Sequence, residues 1–331
     1  MSIKSMLLIT NPKSGQGKFA ESFFEVAALF VKNGFEVTVY PTAAPRHAYQ
    51  ITLDRASEFD YLVCSGGDGT LNEVISALMQ LDKRPLLGLI PSGSSNDFAA
   101  THGLLADPLS CAQTVVDGKP TYIDIGAFQQ GYFCYVAAFG LFSDVSYDTP
   151  QHHKNMLGYL AYILQGVKKL ASIRHYRCRI ELDSEVIEDD FIFGMIANSK
   201  SVGGFNMPLD IDVCLDDGVF ELVFLRKIDS LEQLTGIVST LLGGKKSPPD
   251  TSFVIRTAKR VRLTCEEDLD WSIDGEYGGA HKIADFDVRQ KSIEIITPHE
   301  PGPPVKKRRK ALKGARPKPK PPKPGAEQEP V

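Results

Sequence analysis

The sequence predicts a two-part α/β plus mainly-β fold. An N-terminal open parallel α/β sheet covers residues 1–128, an antiparallel β-sandwich covers 129–298, and a disordered basic tail covers 299–331. Three observations predict it. Apolar strand-length runs alternate with amphipathic helix-length runs through the first third of the chain. After about Gly126 short strand-like runs separated by turn residues take over. The final stretch is rich in Pro and Lys and cannot bury the surface that folding requires.

In chain order, "SMLLIT" reads as a buried strand and "NPKSGQG" as the turn after it. "FAESFFEVAALFVKNG" has helical spacing at Phe19, Phe23, Phe24, Ala27, Phe30 and Val31, and Gly34 ends it. "FEVTVYPT" is a second strand, "HAYQITLDRASEFD" a second helix, "YLVCSGG" a third strand, "LNEVISALMQL" a third helix and "PLLGLIPSG" a fourth strand. This alternation predicts a parallel sheet with helices on both faces. The second part offers "IDIGAF", "GYFCYVAAFG", "RCRIELDSEVIE", "DDFIFGMIANS", "DGVFELVFL", "FVIRTAKRVRLTC", "LDWSIDGEY" and "KSIEIITP" as strands. Two helical stretches interrupt them, "NMLGYLAYILQGVKKLAS" and "SLEQLTGIVSTLLGG".

Composition narrows the function classes. The net charge of -4 hides an asymmetry: residues 301–331 hold ten Lys/Arg and two Glu, leaving -12 on the first 300 residues. A body that acidic argues against a general nucleic-acid binder. Six scattered cysteines without a CxxC pair read as reduced, mostly buried thiols of a cytoplasmic protein. The first apolar run is too short for a signal peptide, and no run approaches the roughly 18 apolar residues of a membrane span.

Three loops follow predicted strand ends: Asn11–Gly17, Ser65–Thr70 and Pro91–Asp97. In an open parallel sheet that edge binds ligands, and helix N-termini there present free N–H groups suited to phosphate. The first loop is not a Walker A loop, because Pro12 stands where the motif needs Gly and Phe19 follows Lys18. In the second, Gly66, Gly67 and Gly69 permit close approach of a ligand. Thr70 and Glu73 fit a capping box, which competes with a ligand-binding reading. Asp68 is harder to explain as turn chemistry, since a carboxylate beside phosphates needs a cation between them, and Mg²⁺ is the usual one. In the third, Ser94 and Ser95 suit either helix capping or phosphate, and Asn96 and Asp97 add polar groups on the same edge.

Together "NPKSG" (Asn11–Gly15), "GGDGTLNEV" (Gly66–Val74) and "PSGSSNDFA" (Pro91–Ala99) resemble the diacylglycerol kinase catalytic domain family, which includes bacterial soluble lipid kinases and is related to sphingosine kinases. NAD kinases and phosphofructokinases carry loops similar to GGDGT, and the Asn-Asp-Phe-Ala continuation separates the lipid-kinase group. Segments of the second part resemble the family too, among them "LDDGVFELVFL" (Leu215–Leu225) and "IDGE" (Ile273–Glu276). The resemblance covers roughly residues 4 to 298.

It implies an ATP- and Mg²⁺-dependent lipid kinase with its cleft between the two parts, diacylglycerol being the preferred acceptor and phosphatidic acid the product. Sphingoid base or phosphatidylglycerol are alternative acceptors, and a silent lipid or nucleotide sensor is the alternative class. By position, Asn11, Ser14, Gly15, Thr42, Gly66 to Thr70, Asn72, Glu73, Ser94, Asn96 and Asp97 are expected nucleotide contacts. Asp68 is the expected GGDGT acid and Glu276 the expected catalytic base. Asp217, with carbonyls of Cys214 and Val219, is the expected holder of a structural Mg²⁺. Read without the family, Asp274-Gly275 and Asp217-Gly218 are hairpin turn signals. Lys154, His152 and His153 form a polar patch, Lys154 a candidate to face phosphate. The implied partners are a lipid at the inner membrane surface, anionic lipids met by the basic tail, and a second copy in a homodimer.

Overall fold

The computed structural model describes residues 3–104, 107–140, 173–199, 201–202, 205–206, 213–241 and 252–299. The patch His152–Lys154, the Leu/Tyr-rich helical stretch after it and the basic tail lie outside the described residues.

The first part runs β1 (Lys4–Thr10), α1 (Lys18–Lys32), β2 (Phe35–Pro41), α2 (His47–Arg55), β3 (Tyr61–Gly66), α3 (Asp68–Leu78), β4 (Leu86–Pro91), α4 (Asp97–Thr101), α5 (Pro108–Asp117) and β5 (Lys119–Phe128). Strands β2, β1, β3 and β4 pair in parallel in that order. Their apolar runs are explained by burial on both faces, since successive side chains point to opposite sides. Leu7, Ile9, Leu62, Cys64, Leu87 and Leu89 pack against α2 and α3. Met6, Leu8, Val63 and Ile90 pack against α1 and α5. Helix α5 is absent from the sequence reading. Its signal was local: Asp107 caps it by accepting from the N–H groups of Leu109 (3.1 Å) and Ser110 (3.0 Å), and Pro108 opens the first turn.

The second part holds β6 (Gly131–Phe133), β7 (Val136–Gly140), β8 (Tyr176–Glu181), β9 (Val186–Ala197), β10 (Ser201–Val202), β11 (Phe205–Asn206), β12 (Phe220–Arg226), α6 (Leu231–Leu241), β13 (Phe253–Ala258), β14 (Arg260–Ile273) and β15 (Glu276–Thr297). Pairing here is antiparallel, around a core rich in aromatics: Phe133, Phe139, Phe191, Phe220, Phe224, Trp271 and Phe286. The 22-residue β15 does two jobs. Its first half pairs with β14, and near its end Ile295 meets Leu87 of β4 in parallel. One hydrogen-bonded sheet, ordered β13-β12-β9-β7-β14-β15-β4-β3-β1-β2, therefore runs through both parts.

Two expectations need correction. "GYFCYVAAFG" is not one strand but two, parted at Cys134–Tyr135, because those N–H groups are drawn to a side chain described below. The cysteines are not all free thiols: Cys178 and Cys265 are opposite residues of the β8–β14 pair and form a disulfide, Cα–Cα 4.4 Å, while Cys64, Cys111, Cys134 and Cys214 are free. The pair is 87 residues apart, so spacing alone gave no sign of it.

Candidate functional site

The three glycine-bearing loops meet at the carboxyl edge of the parallel sheet, and their packing needs glycine. Gly15 has φ +57, and a Cβ there would lie 1.8 Å from the Ser92 carbonyl oxygen. A Cβ on Gly93 would lie 2.6 Å from the Gly67 Cα. Side chains at these points would push the loops apart. Asn11 ties the first loop to the second, its Nδ2 donating to Thr70 Oγ1 at 2.9 Å. The Thr42 N–H donates to the Thr10 carbonyl at 2.8 Å, which holds the end of β2 beside the first loop. Ser14 sits over Gly67, its Oγ 3.6 Å from where a Cβ would stand.

The two capping expectations fail in an informative way. Thr70 lies inside α3, which starts at Asp68, and its hydroxyl is used by Asn11. Glu73 instead caps α2 from across the fold, accepting from the N–H groups of Arg46 (2.7 Å), Ala48 (3.1 Å) and Tyr49 (3.4 Å). Ser94 and Ser95 do not cap α4 either and are exposed. The α4 cap residue is Asn96, in the left-handed region at φ 53, and its side chain turns back to Gly93. The α4 N-terminus is met by Asp68, which accepts from Asp97 N (3.3 Å) and Phe98 N (3.4 Å). A short acid next to glycine can reach a neighbouring helix end, and the helix dipole favours it there.

Burial, then the charge of Asp97, raises the Asp68 pKa to about 6, although the two N–H bonds pull the other way. Asp68 itself forms no ion pair among the described residues.

Across the cleft, Asp274 and Gly275 form the β14–β15 turn, both at positive φ (49 and 84). That is the type I′ turn expected of an Asp-Gly pair. Sequence reasoning missed what the Asp274 side chain does. Its carboxylate is buried and accepts from the N–H groups of Cys134 (2.7 Å), Tyr135 (3.0 Å) and Val136 (3.0 Å), and from Asn72 Nδ2 (2.7 Å). Burial raises its pKa against these four bonds. Asn72 belongs to α3, so the GGDGT helix is tied directly to the turn that carries Glu276. The next residue but one delivers that acid to the second loop: a Cβ on Gly69 would come within 2.7 Å of Glu276 Oε1. Glu276 is exposed and lines a cleft of about 700 Å³ with Arg46, Gly69, Asn72, Tyr132 and Tyr277.

The expected metal residues lie elsewhere. Cys214, Asp217 and Val219 belong to a bend entering β12, which Asp124 of β5 anchors by accepting from Gly218 N (2.6 Å) and Lys291 N (2.7 Å). Asp217 Oδ1 accepts from Val219 N at 3.2 Å. Beside them Glu221 is buried, with Oε2 lacking a hydrogen-bond partner and a pKa pushed up to about 7, first by burial and then by Asp217. Asp124 is raised as well, by burial and the nearby acids.

Comparison with known proteins agrees with this architecture. The Diacylglycerol kinase catalytic domain family matches residues 5–128, and the YegS C-terminal NAD kinase beta sandwich-like domain matches residues 137–297. Diacylglycerol kinase of Bacillus subtilis (strain 168) is 35% identical over 300 residues, covering 90% of this chain and 98% of that protein. Diacylglycerol kinase of Staphylococcus epidermidis is 32% identical over 298 residues, covering 90% and 93%. A crystal structure of a diacylglycerol kinase from Bacillus anthracis str. Sterne shares the fold, with TM-score 0.71 at 22% identity over 90% of this chain and 98% of that one. Relatives this similar along nearly their whole length, and a matching catalytic-domain model over the three loops, place the chain in the diacylglycerol kinase family of lipid kinases.

Proposed function

We propose that the protein transfers the γ-phosphoryl group of ATP to the free hydroxyl of diacylglycerol, giving phosphatidic acid and ADP. The observation that carries this reading is the placement of Glu276 against Gly69. It sets a carboxylate able to take a proton beside a glycine-rich edge able to hold phosphates. Phosphoryl transfer depends mostly on positioning and charge neutralisation. N–H groups of the three loops hold the nucleotide phosphates. Glu276 accepts the alcohol proton as the new O–P bond forms and the bond to ADP breaks. Asn72 and Asp274 keep the two sides of the cleft in register.

In the same proposal Mg²⁺ is held at two places, each by a single carboxylate rather than a cluster, since no three His, Cys, Asp or Glu side chains gather into a metal site among the described residues. Asp68 is a half-buried carboxylate short of positive charge. Asp217, with the carbonyls of Cys214 and Val219, is a hard-oxygen set beside the unpartnered Glu221 Oε2. Asp68 would hold a divalent cation that neutralises charge during transfer, and Asp217 would hold one that stiffens the bend before β12. The acceptor arrives from a membrane surface. No described helix is long and apolar enough to cross a bilayer. Peripheral attachment at the cytoplasmic face, aided by the basic tail, belongs to the same proposal. A homodimer is part of the same proposal, on the resemblance alone.

The test is phosphorylation of a lipid panel in mixed micelles by the wild type, Asp68→Ala and Glu276→Gln. Labelled phosphatidic acid is expected from the wild type, and turnover about 10²–10⁴-fold lower from Glu276→Gln. No labelled product from any lipid, with ATP still bound, would overturn the proposal.

A further inference from the structure

We propose that Arg46 is a phosphate-binding residue of the cleft, its guanidinium hydrogen-bonding the phosphoryl group that passes between nucleotide and lipid; this rests on the reading above. Four observations lead there. Arg46 lines the same cleft as Glu276 and Asp274. A site that moves a phosphoryl group between such acids needs fixed positive charge at the group in transit. The cleft's other basic residue, His281, has its Nε2 3.2 Å from the Gly278 carbonyl and its ring edge against Phe128. Of the two, only Arg46 presents the planar guanidinium fork that matches phosphate geometry.

The backbone gives the second argument. Arg46 sits at φ 62, ψ 7, the left-handed region that glycine adopts freely and other residues rarely do. It is pinned there by its N–H bond to Glu73 Oε1 at 2.7 Å. Glycine would satisfy that backbone without strain, so an arginine at this point is explained by its side chain. Strained residues of this kind cluster at functional sites. Third, the guanidinium lies over the Tyr49 ring, 5.1 Å from its centroid, which orients the plane. Fourth, Arg46 makes no ion pair among the described residues. The planar fork is left for an outside partner, and phosphate matches it with two parallel N–H···O bonds.

The ligand chemistry is a phosphate monoester, carried by the nucleotide before transfer and by the lipid after it. Arg46→Gly separates side chain from fold, because glycine suits this φ and should leave the thermal midpoint unchanged or higher. Three quantities are compared with wild type: turnover on short-chain diacylglycerol, calorimetric affinity for dihexanoyl phosphatidic acid, and affinity for a non-hydrolysable ATP analogue. We expect turnover to fall about 10–100-fold and phosphatidic acid affinity about tenfold, the scale of one charged hydrogen-bonded pair. Loss of affinity for phosphatidic acid alone assigns Arg46 to the lipid phosphate, and loss for the analogue alone assigns it to the nucleotide. Added guanidinium ion should restore part of the Arg46→Gly turnover. All three quantities within twofold of wild type would overturn the inference. A wild type that phosphorylates no lipid would instead overturn the functional reading on which it rests.

Discussion

Asp68 is held between opposing demands. Its bonds to the α4 N–H groups favour the carboxylate, while burial and Asp97 disfavour it, and the second pair wins. A carboxyl raised on folding, from 3.8 to about 6 here, holds its proton more tightly in the folded state. Its stabilising effect is thus complete below about pH 4 and is lost as pH rises through 6. Glu221, raised from 4.5 to about 7, acts in the same direction over a slightly higher window. In metal-free buffer, Asp68→Asn should match wild type in stability at pH 4 and exceed it at pH 7.5, by up to about 3 kcal/mol. Scanning calorimetry of both proteins across that range checks this. A variant less stable than wild type at pH 7.5 would mean that the carboxylate's bonds to α4 outweigh its burial. Gly69 offers a second residue-scale test. An added methyl meets only the flexible end of Glu276, 2.7 Å away, so Gly69→Ala should fold normally and displace the acid. Turnover should fall at least about tenfold, with a change in stability within about 1 kcal/mol. Equal turnover would show that Glu276 is not needed at that spot.

At the scale of elements, Asp274 holds the site together. One carboxylate gathers three successive N–H groups between β6 and β7 and the amide of α3, which explains why "GYFCYVAAFG" breaks in the middle. Removing it leaves buried donors unpaired at the meeting of three elements. Asp274→Ala should cost about 3 kcal/mol or more, and Asn72→Ala about 1–2 kcal/mol, by urea denaturation. Because Asn72 reaches the turn that carries Glu276, Asn72→Ala should also lower kcat more than it raises the ATP KM. A pure KM effect would place Asn72 in nucleotide binding instead. The elements themselves were largely legible, because the runs in β1, β3 and β4 and the helical spacing of α1 follow from period and burial. The partners of side chains were not. Asp274 was visible as an Asp-Gly turn, yet its donors lie 138–202 residues away. Thr70 and Glu73 satisfied a local capping pattern, but the α2 N-terminus and Asn11 compete for the same groups and win. Asp107-Pro108, by contrast, was a local signal for α5 that the sequence itself contained.

For the whole molecule, the decisive element is β15, which belongs to both parts. The tail is separate from this argument and has its own test. Deleting residues 306–323 should abolish the rise in vesicle binding with anionic lipid content, at about 1 kcal/mol per well-placed Lys or Arg. Equal binding by the deleted protein would remove the membrane role. The folded body should behave as one unit, for a structural reason. Cutting β15 away from β4 would open the edge of the parallel sheet and expose Leu87 and Ile295, both fully buried. It would also release β5, which pairs with β15 on either side of Arg289 to Ile293. Neither part can therefore unfold without uncovering the other's strands. The chain contains its own reporter. Its one tryptophan, Trp271, is buried in the aromatic core of the second part, whereas five of the six described α-helices belong to the first. Trp271 fluorescence and the helical circular dichroism signal should follow a single urea transition with one midpoint. Two separated midpoints would mean that the continuous sheet does not couple the halves, and the register of the cleft would then rest on Asn72 and Asp274 alone.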